Sequence, residues 1–222
     1  GPTVPDTSTF QDALMVIEKY GLKDKLPLRV KRVLQDGVKG KIKDTPKGKE
    51  RFFRNTKNII IGSIEHAINA ANKKSYKMGF KPEVITSKLQ GEAVDAARYL
   101  AARALEVQNS MKKADKPSCI ISGGETTVVV RGNGMGGRNQ ELALAFAIEI
   151  EGIKGITMLS AGTDGTDGPT DAAGAVIDGN TIPLARRLGI RSELYLENND
   201  SYNFFKKLDS MSNKGYHLKT GP

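Results

Sequence analysis

The chain has 222 residues, of which 38% are hydrophobic and 27% are charged, and its formal net charge at pH 7 is +9. These proportions fit one large globular domain, or one domain with a piece of another. No apolar run approaches the roughly 20 residues that cross a bilayer, and no signal peptide opens the chain, so we expect no membrane association. The single cysteine, Cys119, lies in an apolar run, which predicts a buried strand residue and a cytoplasmic protein.

The positive charge is concentrated near the start of the chain. Residues 19–57 contain 14 Lys and Arg but only 4 Asp and Glu. A basic block is one indication of nucleic-acid binding, but no recognition motif accompanies it here. We therefore favour a solvated helical face, which would also attract an anionic substrate, and expect no nucleic-acid partner.

The first quarter of the chain reads as helical. Thr9 is placed to cap a helix that runs through Tyr20 and ends at Gly21, and a second helix is predicted over 28–35. A lysine-rich loop with several glycines and prolines follows, and large apolar residues are few. The sequence predicts that 1–56 is a helical, Lys-rich remnant of an N-terminal domain with its linker, and that 57–222 is a separate α/β domain, truncated at its end.

From residue 58 onward, predicted strands alternate with predicted helices. Residues 58–62 form a short apolar run, typical of a buried parallel strand. Residues 126–131 follow the preceding strand too closely for a crossover helix, which predicts antiparallel pairing. The other predicted strands are 83–87, 118–122, 156–161, 173–177 and 217–219, and the helices are 64–78, 92–111, 138–151, 182–188 and 201–208. This order predicts a three-layer α/β/α domain with a mixed sheet.

A glycine-rich loop precedes the helix that is predicted to begin at Arg138. Gly134, Gly136 and Gly137 would let the backbone approach a ligand, and the helix N-terminus and the Arg138 guanidinium both favour an anion. Gly132, Gly134 and Gly137 also match the spacing Gly-x-Gly-x-x-Gly of the dinucleotide-binding fingerprint. That fingerprint follows a parallel strand, however, whereas the strand predicted before this loop is antiparallel. The alternative is a structural turn in which Arg138 pairs with Glu125 or Glu141.

Three aspartates follow the predicted strand at 156–161. Asp164, Asp167 and Asp171 lack the alternating spacing of a calcium loop. They do lie where ligands bind in α/β sheets, and Asp164, the first after the strand, is best placed as a base or as a Mg²⁺ ligand through water. The alternative is that they cap turns. A further polar run, 198–201, is interpreted as a helix cap rather than a ligand contact.

Four segments together resemble the C-terminal region of the glycerate 2-kinase family, often called the MOFRL domain. They are Gly123-Gly124-Glu125-Thr126, the run 134–144 beginning Gly-Met-Gly-Gly-Arg-Asn-Gln-Glu, the run 160–174 containing Gly-Thr-Asp-Gly-Thr-Asp-Gly-Pro-Thr-Asp, and Asn198-Asn199-Asp200-Ser201. The resemblance implies two α/β lobes with an active site between them, of which this chain is the C-terminal one. It also implies transfer of the ATP γ-phosphate to the 2-hydroxyl of D-glycerate, with Mg²⁺, giving 2-phosphoglycerate.

The resemblance also implies roles for individual residues. Arg138 would stabilise the substrate carboxylate or the transferring phosphoryl group, and Asp164 would be the general base or a metal-side acid. The remaining expected site residues are Gly134, Gly136, Gly137, Glu125 and Asn139 for the nucleotide, and Asp167 and Asp171 for the metal. A lysine of the family's N-terminal lobe has no counterpart here, so we expect the isolated chain to be incomplete for catalysis.

Two other functions stay open at this point. One is an NAD(P)H-dependent hydroxypyruvate reductase, a label that some family members carry. The other is a non-catalytic module that binds a sugar acid or a partner chain. The expected partners of the leading interpretation are D-glycerate and the missing N-terminal lobe, with a homodimer as one option.

Overall fold

The computed structural model describes residues 3–219. The chain divides into two compact units, Gly1–Ile61 and Gly62–Pro222. Each unit is held together by packing among its own residues, with the boundary falling in the isoleucine-rich run at 58–62.

The smaller unit contains two helices and a 3₁₀ turn. Helix α1 is Phe10–Lys19, helix α2 is Leu28–Val38, and the turn is Arg51–Asn55. Thr9 caps α1 through a reciprocal pair of hydrogen bonds with Asp12, so the predicted cap is confirmed. Neither α1 nor α2 contains a buried residue, which agrees with the few large apolar side chains in this part of the sequence.

The larger unit alternates helices and strands. Its helices are α3 (Ile64–Lys77), α4 (Ala93–Ser110), α5 (Arg138–Glu149), α6 (Thr181–Arg187), α7 (Ser192–Glu197) and α8 (Ser201–Ser212). Its strands are β1 (Lys81–Leu89), β2 (Ser118–Gly124), β3 (Thr157–Ala161), β4 (Gly174–Asp178) and β5 (His217–Leu218). Apart from the short helix α7, each of these elements was predicted within a few residues.

The strands pair in both orientations. Strands β1 and β2 are parallel, whereas β3, β4 and β5 form an antiparallel sheet in that order. The predicted α/β class with mixed strand directions is therefore confirmed. The two orientations belong to two separate hydrogen-bonded sheets, and α3 packs against β1 and β2.

Helix α5 is the centre of the larger unit. Its residues 140–147 are all buried, and it packs against α4 and against β3 and β4. A helix that is buried on every side has no amphipathic stripe, which is why its apolar residues show no clear helical periodicity. This burial fixes the position of Arg138, the first residue of α5, relative to the loop that connects β3 to β4.

Two predicted strands are wrong. Residues 58–62 form no strand, and Ile59, Ile60 and Ile61 are 70%, 77% and 94% exposed. Residues 126–131 contain only an isolated bridge, in which Thr127 pairs parallel with Glu92, so the predicted antiparallel partner is also wrong. Both runs have suitable composition, but a strand also needs a neighbour, and the backbone of 126–132 bonds instead to Gly91 and to a side chain of a distant loop.

Two expectations from composition concern the single cysteine and membrane-spanning helices. Cys119 lies on β2 but is only partly buried. Among the helices formed by residues 3–219, none has the length and apolar character needed to cross a bilayer.

Candidate functional site

The first turn of α5 is capped by a carboxylate from another loop. Asp167 is 2% exposed, and its Oδ1 accepts from the backbone N–H of Asn139 at 3.0 Å and from Asn139 Nδ2 at 3.1 Å. Its Oδ2 accepts from the backbone N–H of Gln140 at 2.8 Å and from Gln140 Nε2 at 3.1 Å. The residue before the helix, Gly137, has no side chain to cap it, so Asp167 satisfies these N–H groups from a distant part of the chain.

This cap changes the interpretation of the helix N-terminus as an anion site. The negative group that the N–H groups and the helix dipole attract is the protein's own Asp167 carboxylate. A Cβ added at Gly137 would collide with the side chain and backbone of Asp167. Glycine at this position therefore allows two segments of the protein to pack together.

The loop before α5 is held by the segment between α7 and α8. Asn199 Oδ1 accepts from the backbone N–H groups of Arg131 and Gly132, at 2.6 and 3.0 Å. Asn198 Oδ1 accepts from Asn133 N at 3.1 Å, and Asp200 Oδ1 accepts from Met135 N at 2.8 Å. The predicted helix-capping role of 198–201 is wrong, because Asp200 makes no side-chain cap on α8 and these side chains bind the glycine-rich loop instead.

The space beside the loop glycines is filled rather than open. A Cβ at Gly134 would collide with Asp200, and one at Gly136 would collide with the hydroxyl of Ser201. These glycines thus permit close packing against 198–201. Their role in nucleotide binding, and that of Asn139, stays a prediction.

A buried carboxylate lies beneath the same loop. Glu141 is 3% exposed, and Asn199 Nδ2 donates to its Oε2 at 3.1 Å. Burial raises the pKa of Glu141, and the hydrogen bond from Asn199 opposes that rise. Asn199 therefore connects the loop backbone on one side with a desolvated acid on the other.

Arg138 lies at the surface, at the start of α5. Its guanidinium donates to Glu125 Oε1 at 2.8 Å, and the two side chains are 46% and 74% exposed. This is the pairing that the structural alternative predicted. An exposed ion pair contributes about 0–1 kcal/mol, so the guanidinium can exchange Glu125 for an anionic ligand at little cost.

Asp164 lies close to the same turn of α5. Its carboxylate is exposed and, among the residues that the structure describes, accepts one long hydrogen bond, from Thr166 N at 3.3 Å. A Cβ at Gly162 would lie 2.8 Å from Asp164 Oδ1 and 3.6 Å from Asn139 Nδ2. The Asp164 carboxylate and the residue that follows Arg138 therefore converge at Gly162.

The third aspartate of the loop belongs to a different group. Asp171 accepts from Lys219 Nζ at 2.7 Å and from the Tyr202 hydroxyl at 2.8 Å. The hydrogen bonds from Lys219 and, second, from Tyr202 lower the pKa of Asp171. The three aspartates are thus in three environments, and only Asp164 combines exposure with a largely unused carboxylate.

The contacts of these acids bear on metal binding. Within residues 3–219, no group of three or more His, Cys, Asp and Glu side chains is placed to hold a metal ion. Both oxygens of Asp167 accept two N–H groups each, and both oxygens of Asp171 are engaged. The carboxylate oxygens of both residues that were expected to bind Mg²⁺ thus already accept hydrogen bonds within the protein, and Mg²⁺ binding by them stays a prediction.

Sequence reasoning missed the residues that support the site. Asn199 has a left-handed backbone, with φ of 52°, a conformation that asparagine tolerates better than most residues. The Asn-Asn-Asp run was a usable indication, because a glycine-rich loop needs partners for its backbone N–H groups. Nothing in the local sequence shows, however, which loop those side chains reach.

Comparison with known proteins identifies relatives of the whole chain. Residues 118–222 match the model of the MOFRL family, and residues 1–35 match a domain of unknown function, DUF4147. The chain is 44% identical to a D-glycerate 2-kinase of Thermotoga maritima and 35% identical to a glycerate 2-kinase of Pyrococcus horikoshii, over its full length in both cases. It spans 49% and 48% of those two proteins, so it corresponds to about half the length of the relatives that it matches.

Two solved structures are similar to this chain. A crystal structure of the Thermotoga maritima glycerate kinase superposes with a TM-score of 0.75, covering 98% of this chain and 48% of that one. A Pyrococcus horikoshii protein superposes with a TM-score of 0.69, at 36% identity, over 100% of this chain and 49% of that one.

Proposed function

On the premise that residues 118–222 belong to the MOFRL family, we propose that this chain is the C-terminal lobe of an ATP-dependent glycerate 2-kinase. The observation that carries the proposal is 44% identity, along the entire chain, to a protein named D-glycerate 2-kinase. The reaction is transfer of the ATP γ-phosphoryl group to the 2-hydroxyl of D-glycerate, which gives 2-phosphoglycerate and ADP. The domain division proposed with it is 1–56 for the remnant of the first domain and 57–222 for the MOFRL-containing domain.

The two exposed charges beside the start of α5 have complementary roles in this proposal. Phosphoryl transfer needs positive charge near the oxygens of the transferring group and a carboxylate that receives the hydroxyl proton. Arg138 provides a guanidinium that pairs with an exposed glutamate, and Asp164 provides a carboxylate with one long hydrogen bond. As the substrate oxygen attacks phosphorus, its proton passes to Asp164, and ADP leaves with the electrons of the broken bond.

ATP and Mg²⁺ are the cofactors proposed for the whole enzyme. Mg²⁺ usually retains waters and is held by one or two carboxylates together with substrate phosphates, and it neutralises charge on those phosphates. The described residues do not fit a metal site of their own, because Asp167 and Asp171 are engaged elsewhere. We therefore assign no Mg²⁺ ligand among residues 3–219.

The proposed partners follow from the same argument. They are D-glycerate and the N-terminal lobe of the same protein, because the chain spans about half of its relatives. A homodimer and a cytoplasmic location stay predictions, and both are measurable on the full-length protein.

A coupled assay on the full-length protein tests the proposal. With ATP, Mg²⁺ and D-glycerate, product is read through enolase, which accepts 2-phosphoglycerate and not the 3-isomer. Arg138→Ala and Asp164→Asn should each lower kcat/KM by at least about 100-fold, the usual effect of removing one group that stabilises a transition state. The matched controls are Arg186→Ala, an exposed ion-paired arginine on α6, and Asp95→Asn on α4, which should stay within twofold of the wild type. A folded wild-type protein with no turnover of glycerate would refute the proposed function.

A further inference from the structure

We propose that Asp167 is a positioning residue, which holds Arg138 and Asp164 in register by joining the first turn of α5 to the loop that follows β3. The inference rests on the proposed function for its activity measurements. It replaces the expectation that Asp167 binds metal, and it assigns the residue to a contact within the protein.

The hydrogen bonds of Asp167 define one orientation of α5. Each carboxylate oxygen accepts one backbone and one side-chain N–H, from Asn139 on one side and from Gln140 on the other. The two residues immediately follow Arg138, so any rotation of the first turn breaks these bonds. Asp164 is three residues before Asp167 in the same loop, and the four bonds therefore connect the two exposed charges.

The packing around these bonds leaves little freedom. A Cβ at Gly168, whose φ is 62°, would collide with the carbonyl oxygen of Gly136, just as one at Gly137 would collide with Asp167. Thr170 Oγ1 donates to the Asp167 carbonyl at 2.8 Å and accepts from Gln140 Nε2 at 3.0 Å. The loop and the helix are thus joined through backbone contact and through both side chains.

The chemistry of the contact calls for a carboxylate. Four donors converge on two oxygens, and both oxygens must accept. An asparagine would keep one acceptor and turn an NH₂ group towards two N–H donors, leaving buried donors unpaired. Asp167→Asn therefore changes the geometry of the site at almost constant volume.

The activity test is a double-mutant cycle on the full-length protein. A residue that acts by aligning Arg138 with Asp164 loses this effect once Arg138 is gone, whereas the effects of independent residues multiply. Asp167→Asn should lower kcat at least tenfold and shift KM for D-glycerate in the same direction as Arg138→Ala does. In the Arg138→Ala background the same substitution should change kcat less than threefold. A full tenfold effect in both backgrounds would overturn the inference.

The metal alternative gives a different result in the same experiment. If Asp167 were a Mg²⁺ ligand, excess Mg²⁺ would recover activity in Asp167→Asn, and the Mg²⁺ concentration for half-maximal rate would rise. The positioning role predicts an unchanged Mg²⁺ dependence. Recovery by Mg²⁺ would therefore overturn the inference in favour of metal binding.

The control is a carboxylate that makes similar contacts away from the site. Asp178 is the last residue of β4, whereas Gly174, at the other end of this strand, is nearer the site. Asp178 Oδ1 accepts from the backbone N–H of Asn180, just before α6, at 2.8 Å. Asp178→Asn should leave kcat within twofold of the wild type.

A second variant serves if Asp167→Asn does not fold. Gln140→Met keeps the backbone hydrogen bonds to Asp167 and removes only the bonds of Gln140 Nε2 to Asp167 and Thr170. We expect about a threefold loss of kcat in Gln140→Met that disappears in the Arg138→Ala background, and a loss that persists there would count against the inference.

Hydrogen exchange separates this inference from the proposed function. In Asp167→Asn, amides of 135–141 and of 162–170 should both exchange faster than in the wild type, with 178–187 unchanged. If the wild-type protein does not phosphorylate glycerate, the proposed function fails, and hydrogen exchange alone then tests whether Asp167 joins α5 to the loop after β3. Faster exchange in both segments would still support the contact, and unchanged exchange would overturn it.

Discussion

Asn199 is only partly buried, but its replacement by alanine should markedly lower the free energy of unfolding of the larger unit. In Asn199→Ala, the backbone N–H groups of Arg131 and Gly132 lose their acceptor, and Glu141 loses its donor. Two neutral hydrogen bonds contribute about 1 kcal/mol each, and one to a charged group contributes about 1.5–3 kcal/mol. Since the Arg131 end is exposed and water replaces that bond, we expect a loss of about 3 kcal/mol.

A second substitution separates the side chain from the backbone. Asn199 has φ of 52°, which disfavours alanine by about 1 kcal/mol relative to glycine. Asn199→Gly should therefore be less destabilised than Asn199→Ala by that amount. The matched control is Asn198→Ala, which removes one exposed bond to Asn133 N and should cost less than about 1 kcal/mol.

The pH dependence of the loss identifies Glu141 as the charged partner. Burial raises the pKa of Glu141 in the folded protein, so its contribution to stability is largest below its ordinary pKa of 4.5 and falls as the pH rises through the folded value. Without the hydrogen bond from Asn199 the pKa rises further. The free-energy difference between wild type and Asn199→Ala should therefore be larger at pH 7 than at pH 4.5.

Urea unfolding of this chain, followed by far-UV circular dichroism at both pH values, measures these differences. Hydrogen exchange at Arg131 and Gly132 reports the same bonds locally. A loss in Asn199→Ala no larger than in Asn198→Ala would refute the account of the loop. Equal losses at pH 7 and pH 4.5 would refute the part assigned to Glu141.

Two further predictions concern the end of the chain. Leu208→Ala, at a fully buried position on α8, should lower the free energy of unfolding by about 2–5 kcal/mol. Met211 is 47% exposed on the same helix, so Met211→Ala should lower it far less. Similar urea midpoints for the two variants would contradict the burial of Leu208 in the core. Lys219→Met should raise the pKa of Asp171 towards its ordinary value of 3.8, and by more than Tyr202→Phe does, because the Lys219 hydrogen bond is the larger cause of the lowering. A carboxyl NMR titration measures both pKa changes, and the reverse order would contradict the assignment.

Local sequence rules predicted most of the elements because their causes are local. The cap at Thr9 and the end of α1 near Gly21 involve residues close in sequence, and α5 was identified from an apolar run after a glycine loop. The two wrong strands show the limit of such rules. The isoleucines of 58–62 and the valines of 126–131 have the composition of strands, but whether a strand forms depends on a neighbour that composition does not reveal.

The sequence predicted one contact of the candidate site, the pairing of Arg138 with Glu125 that was offered as the structural alternative, and the catalytic roles of Arg138 and Asp164 stay predictions. Arg138 and Asp164 were singled out, and the structure places Asp164 beside the first turn of α5. The role of Asp167 could not be read from the sequence, because its partners are 27 and 28 residues away and no turn rule covers that distance. The same holds for Asn198, Asn199 and Asp200, whose polar character suggested a cap for the next helix and whose contacts are with the loop before α5.

The attachment of the glycine-rich loop to Asn199 sets an order in time. Arg131 N and Asn199 are 68 residues apart, and a ribosome adds about 5–20 residues per second, so the loop waits roughly 3–14 s for its partner during synthesis. Helices α4 and α5 and strands β3 and β4 can form contacts in that interval. The segment 131–135 before α5 acquires its hydrogen bonds to Asn198, Asn199 and Asp200 only afterwards. A nascent chain stalled before residue 198 would thus have a partly formed core beside a glycine-rich loop that lacks these hydrogen bonds.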